Sequence, residues 1–106
     1  MQVLKFGGSS VASSEAMLRV IDIVRKALEE DRTIVVSSAV YGCTDTLVET
    51  GHKAAARDES YKELISGLRE RHHAIIDGLL PEGYREQTAA AVGNLFEALE
   101  VRHRCV

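Results

Sequence analysis

Gln2-Val3-Leu4-Lys5-Phe6-Gly7-Gly8-Ser9-Ser10, followed by Thr33-Ile34-Val35-Val36-Ser37, is the pair of segments on which the reading of this chain turns. Gln2–Phe6 is a short β-prone run ended by a Gly/Ser cluster. From Glu15, the apolar residues Met17, Val20, Ile21, Val24, Ala27 and Leu28 recur at intervals of three and four. That spacing lines one face of a helix, with Ser13 or Ser14 as its N-cap. Glu29-Glu30-Asp31 leaves this helix, and the β-branched run 33–37 reads as a second strand. Strand, glycine turn, helix, strand is a βαβ unit, which predicts parallel strands and a right-handed crossover.

Beyond residue 45 the pattern is helical almost throughout. One helix is predicted from about Asp45 to Ala56, with Thr44 as its cap and Gly51 weakening it by about 1 kcal/mol relative to alanine. Ser60 and Glu63 have the spacing of a capping box. Tyr61, Leu64, Ile65, Leu68, His72, Ile75, Ile76 and Leu79 then fall on one face. Pro81-Glu82-Gly83 interrupts the pattern. Tyr84, Thr88, Ala91, Val92, Leu95, Phe96 and Leu99 form the expected inner side of a last helix, folded back antiparallel on the one before. Two parallel strands make a small sheet, because parallel sheets are usually larger and covered on both faces. The expected class is α/β: a βαβ unit (1–45) and a helical segment (46–106) of one larger domain.

Composition narrows the function. The 106 residues are 45% hydrophobic and 27% charged with a net charge of −3, as in ordinary globular chains. Mild acidity without a clustered basic face disfavours nucleic acid as a partner. No apolar run approaches the roughly 20 residues of a membrane span. No apolar leader follows Met1. Cys43 and Cys105 make neither a disulfide framework nor a metal spacing, so a reducing, cytoplasmic setting is expected. The four histidines form no zinc-type array, and no metal ligand set is assigned.

Two loops can carry chemistry. Gly7 and Gly8 allow a tight turn and close approach to an anion, with successive N–H groups and the start of the next helix aimed at it. Lys5, at the strand exit, can hold a phosphoryl group as a point charge. The string is neither a Walker A motif nor G-x-G-x-x-G, and a plain βα turn would use the same Gly-Gly. The second loop, Ser37-Ser38-Ala39-Val40-Tyr41-Gly42-Cys43-Thr44-Asp45, leaves the C-terminal end of the second strand, where open α/β sheets bind ligands. Its Ser38 and Thr44 hydroxyls suit a phosphate or carboxylate, although Thr44 and Asp45 could do no more than cap a helix.

Together, K-F-G-G-S-S-V from Lys5 and V-S-S-A-V-Y-G-C-T-D-T-L from Val36 resemble the N-terminal part of the aspartate kinases, within the amino-acid kinase family. The first string fits the family's K-F-G-G-[ST]-S and the second its V-S-A-x-x-G-x-T-[DN]-x-L, with Ser37 at the valine position. The resemblance implies an amino-acid-kinase-like three-layer αβα domain, of which about the first quarter of the enzyme is covered. It implies transfer of the ATP γ-phosphoryl group to the side-chain carboxylate of L-aspartate, with Mg²⁺ on the nucleotide. Lys5, Gly7, Gly8, Ser9 and Ser38 would then hold phosphates, with Lys5 catalytic, and Thr44 would contact aspartate. A homo-oligomer is expected.

Tyr41 stands where the family has a small residue and would reshape the aspartate pocket. Cys43 replaces a valine or isoleucine, as a small buried hydrophobe rather than a reactive thiol. Ser9 keeps the hydroxyl of the commoner threonine. The family's later acidic, arginine and adenine-binding elements would lie past Val106, so the 106 residues are expected to be a portion without activity of its own. Two other readings stand beside this one. The first is another amino-acid kinase, against which T-D-T-L favours aspartate. The second is a non-catalytic helical interaction module whose sheet edge is filled by side chains or another protomer.

Overall fold

A computed structural model describes residues 1–105. Among them, strand β1 (Gln2–Phe6) leads through a 3-10 turn (Gly8–Val11) to helix α1 (Ser14–Glu30) and strand β2 (Thr33–Ser37), followed by α2 (Cys43–Ala55), α3 (Tyr61–Leu79) and α4 (Glu82–Arg104). Two compact units result, Met1–Gly42 and a helical one beginning at Cys43.

In the first unit β1 and β2 pair in parallel, as the βαβ pattern requires, with Val3 opposite Ile34 and Lys5 opposite Val36. Period-two alternation gives β1 unlike faces, whereas β2 is exposed from Ile34 to Ser37. Gln2, Leu4 and Phe6 face α1: the Gln2 side-chain amide donates to the Ala27 carbonyl at 2.8 Å, and Phe6 shares a cavity with Ala16, Val20 and Ile23. The other face carries Val3, Ile34 and Val36, which are 62%, 48% and 45% exposed. Helix α1 begins as expected, with Ser13 accepting from the Ala16 amide at 3.1 Å.

Gly42 has φ 76°, in the region that disfavours side chains. This turn lets α2 start at Cys43, so Thr44 lies inside the first helical turn rather than capping it. Gly42→Ala is expected to destabilise the fold by about 1–2 kcal/mol, read as a lowered denaturant midpoint with an unchanged slope.

In the helical unit, α3 packs against both α2 and α4. Arg69 pairs with Glu100 at 3.3 Å, and the His72 and Phe96 rings meet edge-on with centroids 5.4 Å apart. Contacts 69–100 and 72–96 run in opposite directions along the chain, which makes the α3–α4 pair antiparallel as predicted. Tyr61, Ile65, Leu68, Ile75 and Ile76 are buried on α3, and Phe96 on α4.

Two further expectations need correction. The capping box does not form. Ser60 has helical dihedrals and makes no side-chain cap bond. The Asp58 carboxylate instead accepts from the Ser60 amide at 3.0 Å, so the cap function has moved two residues upstream.

The inner side of α4 is also narrower than its apolar stripe. Tyr84 and Leu95 are 64% and 72% exposed, and Ala91 is exposed too. At about 100° per residue, these three lie roughly 100–140° around the helix from Phe96, on the stripe's outer edge.

The Asp58 bond has a pH signature. The Ser60 amide and hydroxyl hold the Asp58 carboxyl below its ordinary value of 3.8, with Lys53 adding a smaller pull. A carboxyl depressed on folding contributes stability that is fully present above its unfolded pKa and is lost as pH falls through the folded one. Thermal midpoints measured from pH 6 to pH 3 should therefore decline below about pH 4, and Asp58→Asn should flatten part of that decline.

Candidate phosphate-binding site

The C-terminal ends of β1 and β2 gather the sequence's candidate residues. Parallel pairing continues one step past β2, the Ser38 amide donating to the Phe6 carbonyl at 2.9 Å. This places Ser38 beside the residue that precedes the glycines. Gly7 is extended, with φ −79° and ψ 176°. Gly8 then opens the 3-10 turn, which closes with the Ser10 amide donating to the Gly7 carbonyl at 3.0 Å. The N–H groups of Gly8 and Ser9, at the start of that turn, have no carbonyl to bond within it.

The two loops touch. A Cβ placed on Gly8 would lie 3.4 Å from the Tyr41 Cα, 3.6 Å from the Ala39 carbonyl oxygen and 3.7 Å from the Tyr41 ring. A single methyl would fit there in ordinary contact, but a branched side chain would push the loops apart. Gly7 has open space around its Cα. The backbone can therefore be approached closely at Gly7, while Gly8 is the point at which the second loop backs the turn.

Lys5, Gly7, Ser9 and Ser38 are exposed and Gly8 is half-buried. Lys5 makes no ion pair among the described residues. Its exposed side chain lies on the sheet face away from α1, one residue before the strand ends. The donors at this edge are N–H groups, hydroxyls and one ammonium, which suit phosphate oxygens and not a divalent cation. Among the described residues no group of three or more His, Cys, Asp or Glu is placed to hold a metal.

Helix α1 starts at Ser14, behind the expected Ser13 cap, and so does not abut the glycines. The 3-10 turn and Ala12-Ser13 intervene, and the Ala16 amide is already used by Ser13. Anion-directed N–H groups therefore come from the turn and not from α1.

Arg19, which the sequence analysis did not single out, lines a cavity of about 290 Å³ with Ser9 and Ser10. It lies outside the apolar stripe of α1, in the second turn of the helix that follows the loop, and a basic residue so close to the glycine turn was the available signal.

Thr44 is exposed in the first turn of α2, in the helical unit. Cys43, next to it, is buried. Burial pushes its thiol pKa up, with Arg71 opposing weakly. The neutral thiol is thus favoured, as expected for a small hydrophobe.

A glycine turn and a second loop meet at the C-terminal ends of parallel strands, the edge at which open α/β sheets bind ligands. The family model described as Amino acid kinase family matches residues 1–99. The chain belongs to the amino acid kinase family, and its two parallel strands with helices form part of that family's αβα domain.

Within the family, the chain is 40% identical over 78 residues to the bifunctional aspartokinase/homoserine dehydrogenase 1 of Arabidopsis thaliana, covering 74% of this chain and 8% of that protein. It is 37% identical over 78 residues to the bifunctional enzyme of Daucus carota, with the same coverage. It is 40% identical over 73 residues to the aspartokinase of Chlamydia muridarum, covering 69% of this chain and 15% of that protein. The chain thus spans only a small part of these relatives' length.

Proposed function

We propose that these residues are the phosphate-holding edge of an aspartate kinase, which moves the γ-phosphoryl group of ATP to the side-chain carboxylate of L-aspartate. The observation that carries this reading is the close approach of the Gly8 turn to Ala39 and Tyr41, beside an exposed Lys5. The names of the relatives supply the substrate class.

In this reading the Gly7, Gly8 and Ser9 amides and the Ser9 and Ser38 hydroxyls orient phosphate oxygens. The Lys5 ammonium offsets charge that grows on the transferring group. Phosphoryl transfer needs mainly positioning and cations, which is what this edge supplies. Thr44 is assigned to the aspartate. Mg²⁺ would arrive with the nucleotide phosphates and neutralise them, and none of the roles given to these residues depends on it.

The 106 residues alone are expected to bind and not to turn over substrate. A homo-oligomer is proposed, checked by sedimentation. Reduced, unpaired Cys43 and Cys105 fit a reducing compartment such as the cytoplasm, whereas the plant relatives are named chloroplastic. No described helix is long and apolar enough to cross a membrane.

Calorimetric titration tests the reading. ATP and inorganic triphosphate should bind comparably and adenosine should not. Adenosine binding as well as ATP, or no binding of either polyphosphate, would contradict it.

A further inference from the structure

A second anion site stands in the helical unit. Helix α2 ends in a Schellman-type turn: the Asp58 amide reaches back to the Lys53 carbonyl at 2.8 Å and the Arg57 amide to Ala54 at 3.1 Å. In such a turn the residue after the cap is left-handed and usually glycine. Here it is Arg57, with φ 60°, the one non-glycine residue at positive φ among those described. A side chain in that conformation is strained, and such strain is a pointer to function when the side chain it carries has somewhere to act.

Arg57 does have somewhere to act. With Glu59, Tyr61, Lys62, His103 and Arg104 it lines a cavity of about 490 Å³. Lys62 is paired with Glu59. That pairing raises the Lys62 pKa, and Arg104 is close enough to oppose it. Among the described residues Arg57 and Arg104 have no carboxylate partner, so two guanidinium groups on this wall remain uncompensated.

The wall is also fixed in place. Thr50, fully buried, donates its hydroxyl proton to the Leu47 carbonyl at 2.7 Å. Its oxygen must then accept from His103 Nε2 at 2.9 Å, because a hydroxyl has one proton to give. The His103 ring packs edge-on against Tyr61 at 5.5 Å. These contacts anchor the end of α4, and with it Arg104, against α2 and α3.

We propose that this cavity binds a small multivalent oxyanion through Arg57 and Arg104, with Lys62 beside them. Guanidinium groups recognise phosphate and carboxylate alike by paired N–H···O bonds, so the ligand chemistry is a small polyanion bearing either group. The site is independent of the glycine edge and does not rest on the kinase reading.

The test is an amide NMR titration of the whole chain with inorganic pyrophosphate and, separately, citrate, at ionic strength held constant with chloride. We expect saturable shifts at Arg57, Lys62, His103 and Arg104. Pyrophosphate acting more strongly than citrate identifies a phosphate ligand, and the reverse a carboxylate one.

Arg57→Gly should relieve the left-handed strain and raise the thermal midpoint by about 4 °C, yet weaken binding at this site by about tenfold. Arg104→Gln should weaken it similarly without the gain in stability. Shifts confined to Gly7–Ser9 and Ser38, shifts no larger than those of a chloride control, or a stabilised Arg57→Gly that binds as well as the parent would each overturn the proposal.

Discussion

Ile65→Ala is expected to be the most damaging single substitution in the helical unit. Ile65 is fully buried in the second turn of α3, the helix that packs on both α2 and α4. Truncation removes the transfer free energy of three carbons and leaves a cavity that three helices cannot easily close, a loss of about 3–4 kcal/mol. Against a typical domain stability of roughly 5–15 kcal/mol, that should lower the thermal midpoint by about 15 °C or more. Ile65→Val should lose only about 1 kcal/mol, so the loss should grow with the number of carbons removed. An Ile65→Ala midpoint within a few degrees of the parent would mean that α3 is not the core of the unit.

The second large effect concerns Lys5 and leaves the fold alone. Lys5 is exposed on the uncovered sheet face and forms no ion pair among the described residues, so Lys5→Ala should unfold at the parent's midpoint. Its interaction with a polyphosphate is different. A hydrogen bond to a charged group is worth about 1.5–3 kcal/mol, which corresponds to a roughly 10- to 150-fold loss of triphosphate affinity. Lys5→Arg should recover part of it, since the charge is kept while the geometry changes. Calorimetry on the three proteins at one salt concentration checks this. Equal affinities for all three would remove Lys5 from the site.

Much of the fold was legible because local signals agreed. Both strand spans match the β-prone runs, and the Gly/Ser cluster with Ser13 set the turn and the start of α1. The misreadings arose where a residue type has two uses. Thr44 looks like a cap, but the left-handed Gly42 turn brings the chain into helical geometry two residues earlier. Ser60 looks like a cap, but Asp58 accepts from its amide first.

On α4, spacing marked an apolar stripe without saying which part of it meets α3. The seam follows Phe96, Leu99 and His103, and leaves Tyr84, Ala91 and Leu95 outside. Leu95 instead edges an apolar cavity of about 290 Å³ with Leu47, Leu68 and Phe96.

The candidate site was legible to a similar depth. Parallel pairing of consecutive strands is enough to put Lys5, the glycines and Ser38 at one edge. The closeness of Tyr41 to Gly8 was not readable, because loop residues 38–42 have no periodicity to fix their path. Arg19 escaped notice because a charge outside the apolar stripe ordinarily marks the solvent side of a helix. Arg57 escaped for a related reason: nothing in the string Ala55-Ala56-Arg57-Asp58 signals a left-handed residue where glycine is usual.

The central claim is that the turn after β1 and the loop after β2 form one phosphate-binding edge. Its most direct test is an amide NMR titration with inorganic triphosphate at constant ionic strength. Saturable shifts at Gly7, Gly8, Ser9 and Ser38, needing at least about tenfold more triphosphate in Lys5→Ala, are the predicted result. Unmoved glycine-turn resonances at saturating triphosphate, or shifts that persist unchanged in Lys5→Ala, would contradict it.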